Sequence, residues 1–425
     1  MPNDWNQVRY NLDRSANFED ICNSPWYSDA AYEKFSETEF ARRHALAREK
    51  MARENVEALI LTGSPNIYSM GGAVMWASGL IDERGMCQYM LLPRVGEPTL
   101  VYPHAGCHIE AARRMVSIRD VRGSEHGHYG AVLAQRIQEL GLGESRIGIT
   151  ATDRNGPEYI GLMAFRELEK NLPQATFVFL PNLLHELTYL KSPEEIAAME
   201  RAGELVTRAL EAIIATAKPG VHEYQLEAAA THAIMDGGGR VHLMMIGSTS
   251  MHDPRLVFPN PRPSARVLKE GDIISAEMVA LYKGYSAKLG QPVTIGKPTP
   301  EANDFFKNVV LGGFKALEEQ LVVGKTLEDV GKAGAYFRQA GGQVRPMMVH
   351  GLDLITAPPY ISIDQVKAQP YEKTIAPGAA FSIEITPISL DGTFGMFMAR
   401  SYVMTENGRR DITPYPQDDI IVATA

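Results

Sequence analysis

The last third of the chain sets ionisable side chains inside apolar, strand-like runs. This restricts the folds open to it more than any bulk property does. The runs are Leu-Lys-Glu-Gly-Asp-Ile-Ile-Ser-Ala-Glu (268–277), Gly-Tyr-Ser-Ala-Lys-Leu (284–289), Val-His-Gly-Leu (349–352) and Pro-Gly-Ala-Ala-Phe-Ser-Ile-Glu (377–384). A Met-Thr-Glu-Asn-Gly turn follows at 404–408. Glu384 is bracketed by apolar residues in Phe-Ser-Ile-Glu-Ile-Thr-Pro. A carboxylate so placed must be paired or protonated, because an isolated charge in apolar surroundings is costly.

At 425 residues the chain is too long for one compact core, and two domains are the default. The hydrophobic fraction, 45%, is that of a globular protein. A net charge of −9 gives a nucleic-acid partner no electrostatic support and disfavours anionic membrane surfaces. The polar, acidic start has no apolar core of a secretory signal, and no apolar run approaches a membrane span. Cys22, Cys87 and Cys107 are odd in number and irregular in spacing, which argues for a reducing compartment. A cytoplasmic protein is expected.

Residues 1–37 read as an irregular extension rich in Asn, Asp, Ser and Tyr. Helical spacing follows near 38–55, then an apolar strand at 58–62 and a hairpin formed by 86–93 and 98–102. Helices near 129–141 and 157–171 alternate with strands at 146–150 and 175–180, the pattern of a small α/β domain over 38–185. At the junction, Ser192 is a good N-cap, Pro193 suits a first helical turn and Glu195 completes a capping box. That helix is expected to run to about Ala217 and to open a second domain, 186–425, with further helices near 222–236, 301–320 and 326–340.

In order and spacing, the four charged runs and the turn after them resemble the creatinase, aminopeptidase P and methionine aminopeptidase superfamily, the pita-bread fold. The resemblance covers roughly 40–420 and is specific from 186 onward. It implies an α+β fold with a small amino-terminal α/β domain, in a homodimer whose amino-terminal domain caps the partner's site. Metal-dependent members hold two divalent cations with two Asp, one His and two Glu. On that pattern the first Asp falls on Glu277, the second on Lys288 and the last Glu on Ala399, while His350 and Glu384 match. A dinuclear site needs anionic and neutral donors on several sides, and an ammonium at its centre repels the metal. A divergent, creatinase-like member without metal or other cofactor is expected.

Glu277, Lys288, His350 and Glu384 are the expected catalytic residues. Lys288 stabilises a developing oxyanion, donates a proton, or merely neutralises the two Glu. Its flanking carboxylates keep it protonated and disfavour a Schiff base. Glu384 is a general base or the group that orients His350. Creatinase's own catalytic His would fall near Pro259 or Asn260 and is missing, with His252 upstream as a substitute or as a loop residue turned by Asp253-Pro254. Met245, Met278, Met348, Met398 and Tyr285 suggest a soft apolar wall for substrate, unless strand alternation turns half of such side chains into the core. Trp76, on a glycine-flanked loop at 71–80, is either an aromatic lid or an anchor of its own domain. Gly-Gly-Gly at 237–239 follows a helix and is not a phosphate loop.

A lyase, not a peptidase, is expected, acting by retro-aldol or elimination chemistry on a small aromatic compound in aromatic catabolism. A creatinase-like C–N hydrolase is the second reading and a non-catalytic pita-bread binding module the third.

Overall fold

The computed structural model describes residues 30–423 apart from 64, 67–68, 82–86, 104–106, 151–158, 355, 364 and 367–373. The extension expected at 1–37 therefore lies almost wholly outside the described residues. The chain divides into two compact units between Leu187 and Thr188. No helix among the described residues is long and apolar enough to cross a membrane.

In the first unit, α1 (Glu37–Glu54) opens on Ser36, whose hydroxyl accepts the Glu39 N–H at 3.0 Å, and closes on Asn55 in the left-handed region, φ 53°. Strands β1 (Ala58–Gly63), β2 (Gln88–Pro93), β3 (Thr99–Tyr102), β4 (Asp120–Gly123), β5 (Arg146–Ile149) and β6 (Thr176–Phe179) form one sheet in the order β4-β3-β2-β1-β5-β6. The sheet is mixed: β2 is antiparallel to β1 and β3, while β5 runs parallel to β1 and β6. Helices α2 (Gly72–Ser78), α3 (Cys107–Met115), α4 (Tyr129–Glu139) and α5 (Leu162–Asn171) also belong to the unit. The segment read as a glycine-flanked loop is thus a short helix. Gly71 (φ 128°) and Gly79 (φ 83°) take the positive-φ conformations that bound it.

The second unit begins with the expected capping box. Ser192 Oγ accepts the Glu195 N–H at 3.2 Å and Glu195 Oε2 accepts the Ser192 N–H at 2.7 Å, starting α6 (Pro193–Thr216). There follow α7 (Glu223–Asp236), β7 (Arg240–Ser250), β8 (Asp272–Tyr282), β9 (Tyr285–Leu289) and β10 (Val293–Ile295). Next come α8 (Pro300–Phe305), a π-helical turn (Phe306–Leu311), α9 (Gly312–Gln320), α10 (Leu327–Ala333) and α11 (Ala335–Gln339). The single helix read over 326–340 is two pieces that meet at Gly334, where a Cβ would lie 2.6 Å from Met348 Sδ. Strands β11 (Met347–Leu352), β12 (Thr356–Ser362), β13 (Ala380–Ile385), β14 (Met398–Thr405), β15 (Gly408–Asp411) and β16 (Ile421–Ala423) close the chain.

Two larger sheets result, beside a two-stranded one formed by Gln343–Val344 and Pro387–Ile388, and the fold is α+β. In one, β8 pairs with β7 along one edge and with β9 and then β10 along the other, and β16 adds to β10. In the other, β12-β11-β13-β14-β15 are antiparallel neighbours. The sheets are stitched where Gly290 and Ala399 exchange backbone hydrogen bonds of 3.1 and 3.0 Å, and Ser401 Oγ accepts the Lys288 N–H at 2.8 Å. The long helix α6 lies against β8 and β9, and Tyr285 donates its hydroxyl to Glu195 at 2.5 Å.

Close approach to α6 depends on Gly203, where a Cβ would stand 1.8 Å from the Ile412 carbonyl oxygen, a backbone atom that cannot swing aside. Gly203→Ala is expected to cost about 1–3 kcal/mol or more through overpacking. The check is a denaturant midpoint measured beside Gly143→Ala, whose Cβ would meet nothing closer than 3.8 Å.

Candidate active site

Strand alternation and register decide which side chains share a face. Glu277 and Val279 lie on the same face of β8, and Lys288 sits directly across from Val279 on β9. On the other sheet His350 pairs with Ser382, two residues before Glu384, so imidazole and carboxylate also share a face. Ala399 stands opposite Glu384 with only a methyl group.

The four ionisable groups meet around Lys288 Nζ. It donates to Glu277 Oε1 at 2.9 Å and to Glu384 Oε2, and lies 3.4 Å from His350 Nε2. His350 Nε2 is 3.2 Å from Glu384 Oε2. His350 Nδ1 is 2.7 Å from the Gly351 carbonyl, which can only accept, so Nδ1 carries a proton and the ring turns Nε2 to Glu384 and Lys288. All four side chains are buried, none more than 5% exposed.

Burial and charge pull these groups apart in pKa. For Lys288, burial opposes the charge, but the carboxylates of Glu384 and Glu277 outweigh it and hold the ammonium well above the usual lysine range. Burial also works against ionisation of Glu384, yet Lys288 and His350 overcome it and hold that carboxyl well below the usual range. Glu277 goes the other way: burial, reinforced by the Glu384 charge, pushes it up despite Lys288. Its Oε2 is buried and has no hydrogen-bond partner among the described residues.

One further group reaches the cluster, and sequence reading missed it. Arg345, with a side chain 46% exposed, places Nη1 4.0 Å from Glu384 Oε1 and lays its guanidinium over the Phe258 ring, 4.6 Å from the centroid. Its only sequence signal is a lone cation two residues before a strand, in Gln-Val-Arg-Pro.

Several expected substrate contacts lie elsewhere. Met278 follows Glu277 on β8 and so points to the opposite face, and it is fully buried. Met348 and Met398 belong to the second unit's apolar core, Met348 against Gly334. Tyr285 is fully buried and turned to Glu195 on α6. Only Met245, directly across from Glu277, shares the face of the cluster. His252 is exposed beyond the far end of β7, past the Ser250–Asp272 pair, five residues or about 17 Å along the sheet from Glu277. Trp76 is buried within the first unit, where the Arg43 guanidinium donates to its carbonyl at 2.8 Å.

Residues 197–406 match metallopeptidase family M24. The Xaa-Pro dipeptidase of Pyrococcus horikoshii is 20% identical over 376 residues, 86% of this chain and 95% of that one. The probable dipeptidase PepE of Mycobacterium tuberculosis is 25% identical, covering 92% and 98%. Among solved structures, the X-Pro aminopeptidase of Thermotoga maritima superposes with a TM-score of 0.74 at 19% identity, covering 89% and 99%. The chain belongs to the pita-bread superfamily of creatinase, aminopeptidase P and methionine aminopeptidase. These relatives are named as peptidases, which overturns the expected lyase, its aromatic substrate and the exclusion of peptidases. The physical root of that error is the methionine wall, most of which is core behind the sheets.

The family name implies a metal, and the donor set does not fit two ions. The point on which Glu277, Glu384 and His350 converge is taken by an ammonium, and Ala399 brings no donor to the far side. Among the described residues no group of three or more His, Cys, Asp or Glu is arranged to hold an ion.

Lys288→Met strips the counter-ion from two buried carboxylates, at an expected cost of about 3–5 kcal/mol near neutral pH. The sign with pH follows from the shifts. In the native chain Glu384 lies below its unfolded value and Lys288 above, so their contribution persists across the neutral range. It fades only as pH falls through the Glu384 pKa or rises through that of Lys288. In the variant both carboxyls lie above their unfolded values, so the folded state gains stability as pH falls. The melting-temperature gap between native and variant chains should narrow from pH 8 to pH 5, and a constant gap would show that the carboxylates do not depend on Lys288.

Proposed function

We propose that the protein is a hydrolase of amide C–N bonds in small, dipeptide-sized substrates, working by acid–base catalysis from the Lys288 cluster. The observation that carries the reading is the opposite treatment of two buried carboxyls: burial and the Glu384 charge push Glu277 up, while Lys288 and His350 hold Glu384 down. Groups driven apart in this way divide the work of acid and base. The names of the relatives supply the bond type and substrate size.

Each step then has a residue. His350 Nε2 takes a proton from water as its oxygen bonds to the amide carbon, and Glu384 stabilises the imidazolium at 3.2 Å. The carbonyl becomes an oxyanion, which a Lys288 N–H steadies. The C–N bond breaks as the departing nitrogen takes the proton of Glu277. Transfer of the His350 proton back to Glu277 restores the cluster, so that one water is consumed and one acid and one amine are released. Arg345, stacked and half exposed beside Glu384, offers its remaining donors to a substrate carboxylate.

Amine release from a panel of dipeptides and N-acyl amino acids tests the reaction. His350→Ala and Glu384→Gln should each lower kcat about a hundredfold or more, with the double variant little worse than the poorer single one. Glu277→Gln should lower kcat and abolish the fall in rate expected of the native chain as pH rises and Glu277, pushed up by burial, loses its proton. Absence of amine release across the panel from folded native protein would overturn the proposal. Arg345→Met should raise KM about tenfold or more for free-acid substrates and little for carboxamide-capped ones. An equal change for both would remove Arg345 from substrate recognition.

A further inference from the structure

One corner beside the cluster carries polar groups that the proposed reaction does not use. On the face of β8 that presents Glu277, the neighbouring position is Ser275, and Gly247 of β7 stands directly across from it. The loop between β7 and β8 folds back over Gly247, where a Cβ would lie 3.0 Å from Leu256 Cδ2 and 3.1 Å from Asn260 Nδ2. Leu256 and Asn260 therefore share the face of Ser275, Glu277 and Met245. The hydroxyl of Ser275 is buried and has no hydrogen-bond partner among the described residues. The carboxamide of half-buried Asn260 makes no hydrogen bond among them either. Unpaired polar groups inside a protein are few, and their gathering in one corner points to a ligand that pairs with them.

The charges around this corner do not suit a cationic ligand. Glu384 is engaged by Lys288, and burial pushes Glu277 towards its uncharged form. Arg345 adds a second cation beside Glu384. In the covering loop, Asp253 is already paired with Arg255 at 3.1 Å. A substrate ammonium would meet Lys288 and Arg345 with none of these carboxylates free to receive it, and such repulsion is half of what makes a site selective. We propose that Ser275 and Asn260 form a specificity site for an acylated amino terminus, so that the preferred substrate is a small peptide whose first residue is N-acylated. The orientation rests on the hydrolysis proposed above: with the substrate carboxylate on Arg345 and the scissile carbonyl at Lys288, the acyl side extends past Glu277 to this corner. An acyl amide offers one N–H and one carbonyl oxygen. The Asn260 carboxamide can pair with both, and the Ser275 hydroxyl can donate or accept beside it. Met245 and Leu256 supply an apolar wall for the acyl carbons.

The test compares three ligands that end in leucine, as kcat/KM where leucine is released and as affinity by calorimetry where it is not. N-acetylglycyl-leucine carries the acyl amide. Pentanoyl-leucine replaces that amide by two methylenes at equal chain length, and glycyl-leucine ends in an ammonium. The native chain should favour the first over each of the others by about tenfold or more, because pentanoyl-leucine leaves Ser275 and Asn260 unpaired and glycyl-leucine brings a like charge. Ser275→Ala and Asn260→Ala should each narrow the gap between N-acetylglycyl-leucine and pentanoyl-leucine. Asn260→Asp brings a carboxylate to the corner and should shift the preference towards glycyl-leucine, with circular dichroism as the check on folding. Glycyl-leucine or pentanoyl-leucine handled as well as N-acetylglycyl-leucine by the native chain overturns the proposal. So does failure to bind any of the three, or a preference that survives undiminished in both folded alanine variants. The expected preference without leucine release leaves the specificity site standing and removes the hydrolysis. Should the variants fail to fold, the native comparison of the three ligands still decides.

Discussion

Two carboxylates cannot share a buried site in this fold unless a cation stands between them. Glu277 and Glu384 come from different sheets, and Lys288 Nζ bonds to both. Burial and the Glu384 charge push Glu277 up, towards its uncharged form, and Arg345 lies beside Glu384 at the rim. Sheet register depends on the same arrangement. A slip of one residue between β8 and β9 would turn Lys288 to the opposite face and leave both carboxylates uncompensated. The Gly290–Ala399 stitch and the Ser401 contact to the Lys288 backbone hold the two sheets in the only relative register that brings all four groups together.

Local signals in the sequence located the elements well where a residue has one dominant physical role. The capping box at Ser192 and Glu195 fixes the start of α6 to the residue, because it satisfies backbone N–H groups that nothing else can. Apolar alternation placed β1, β2 and β5 within a residue or two. Less could be read at 71–80, where glycines on both sides suggested a loop but serve as the caps of α2. Gly334 ended one helix and began another because Met348 occupies the volume a Cβ would need, a tertiary fact invisible in a helical pattern.

For the site, spacing between segments was more informative than composition within them. Glu277, Lys288, His350 and Glu384 were legible because their segments resemble the superfamily's ligand segments in order and spacing, and Glu384 also because it interrupts an apolar run. The methionines misled for the converse reason: a thioether is as comfortable in a core as in a pocket, so its position in a strand says nothing until the face is known. Met278 beside Glu277 and Met398 beside Ala399 are one residue out of phase with the cluster, and that single residue sends them into the core. Arg345 escaped notice because a half-exposed arginine in a polar stretch is the commonest of surface features. What sets it apart is Phe258, about ninety positions away, beneath its guanidinium.

A metallopeptidase family and a site built on lysine are reconciled by what hydrolysis requires. A metal in such a site polarises the carbonyl, lowers the pKa of water and holds both partners in place. An ammonium supplies the first function, since a fixed charge in a dry setting stabilises an oxyanion without reorganising. It cannot supply the second, because it binds no water as a Lewis acid, and that task must pass to a base. In the proposed reaction His350 fills that role: its Nδ1 is tied to the backbone, its Nε2 faces the cluster, and Glu384, held below the usual carboxylate range, stabilises the proton it gains. The third function falls to the strands, which is why the cluster lies on four strands of two stitched sheets and not on loops. Replacing the ion by Lys288 therefore moves the demands of the chemistry onto the protonation states of three neighbours, and the opposite shifts of Glu277 and Glu384 are the physical form that this division takes.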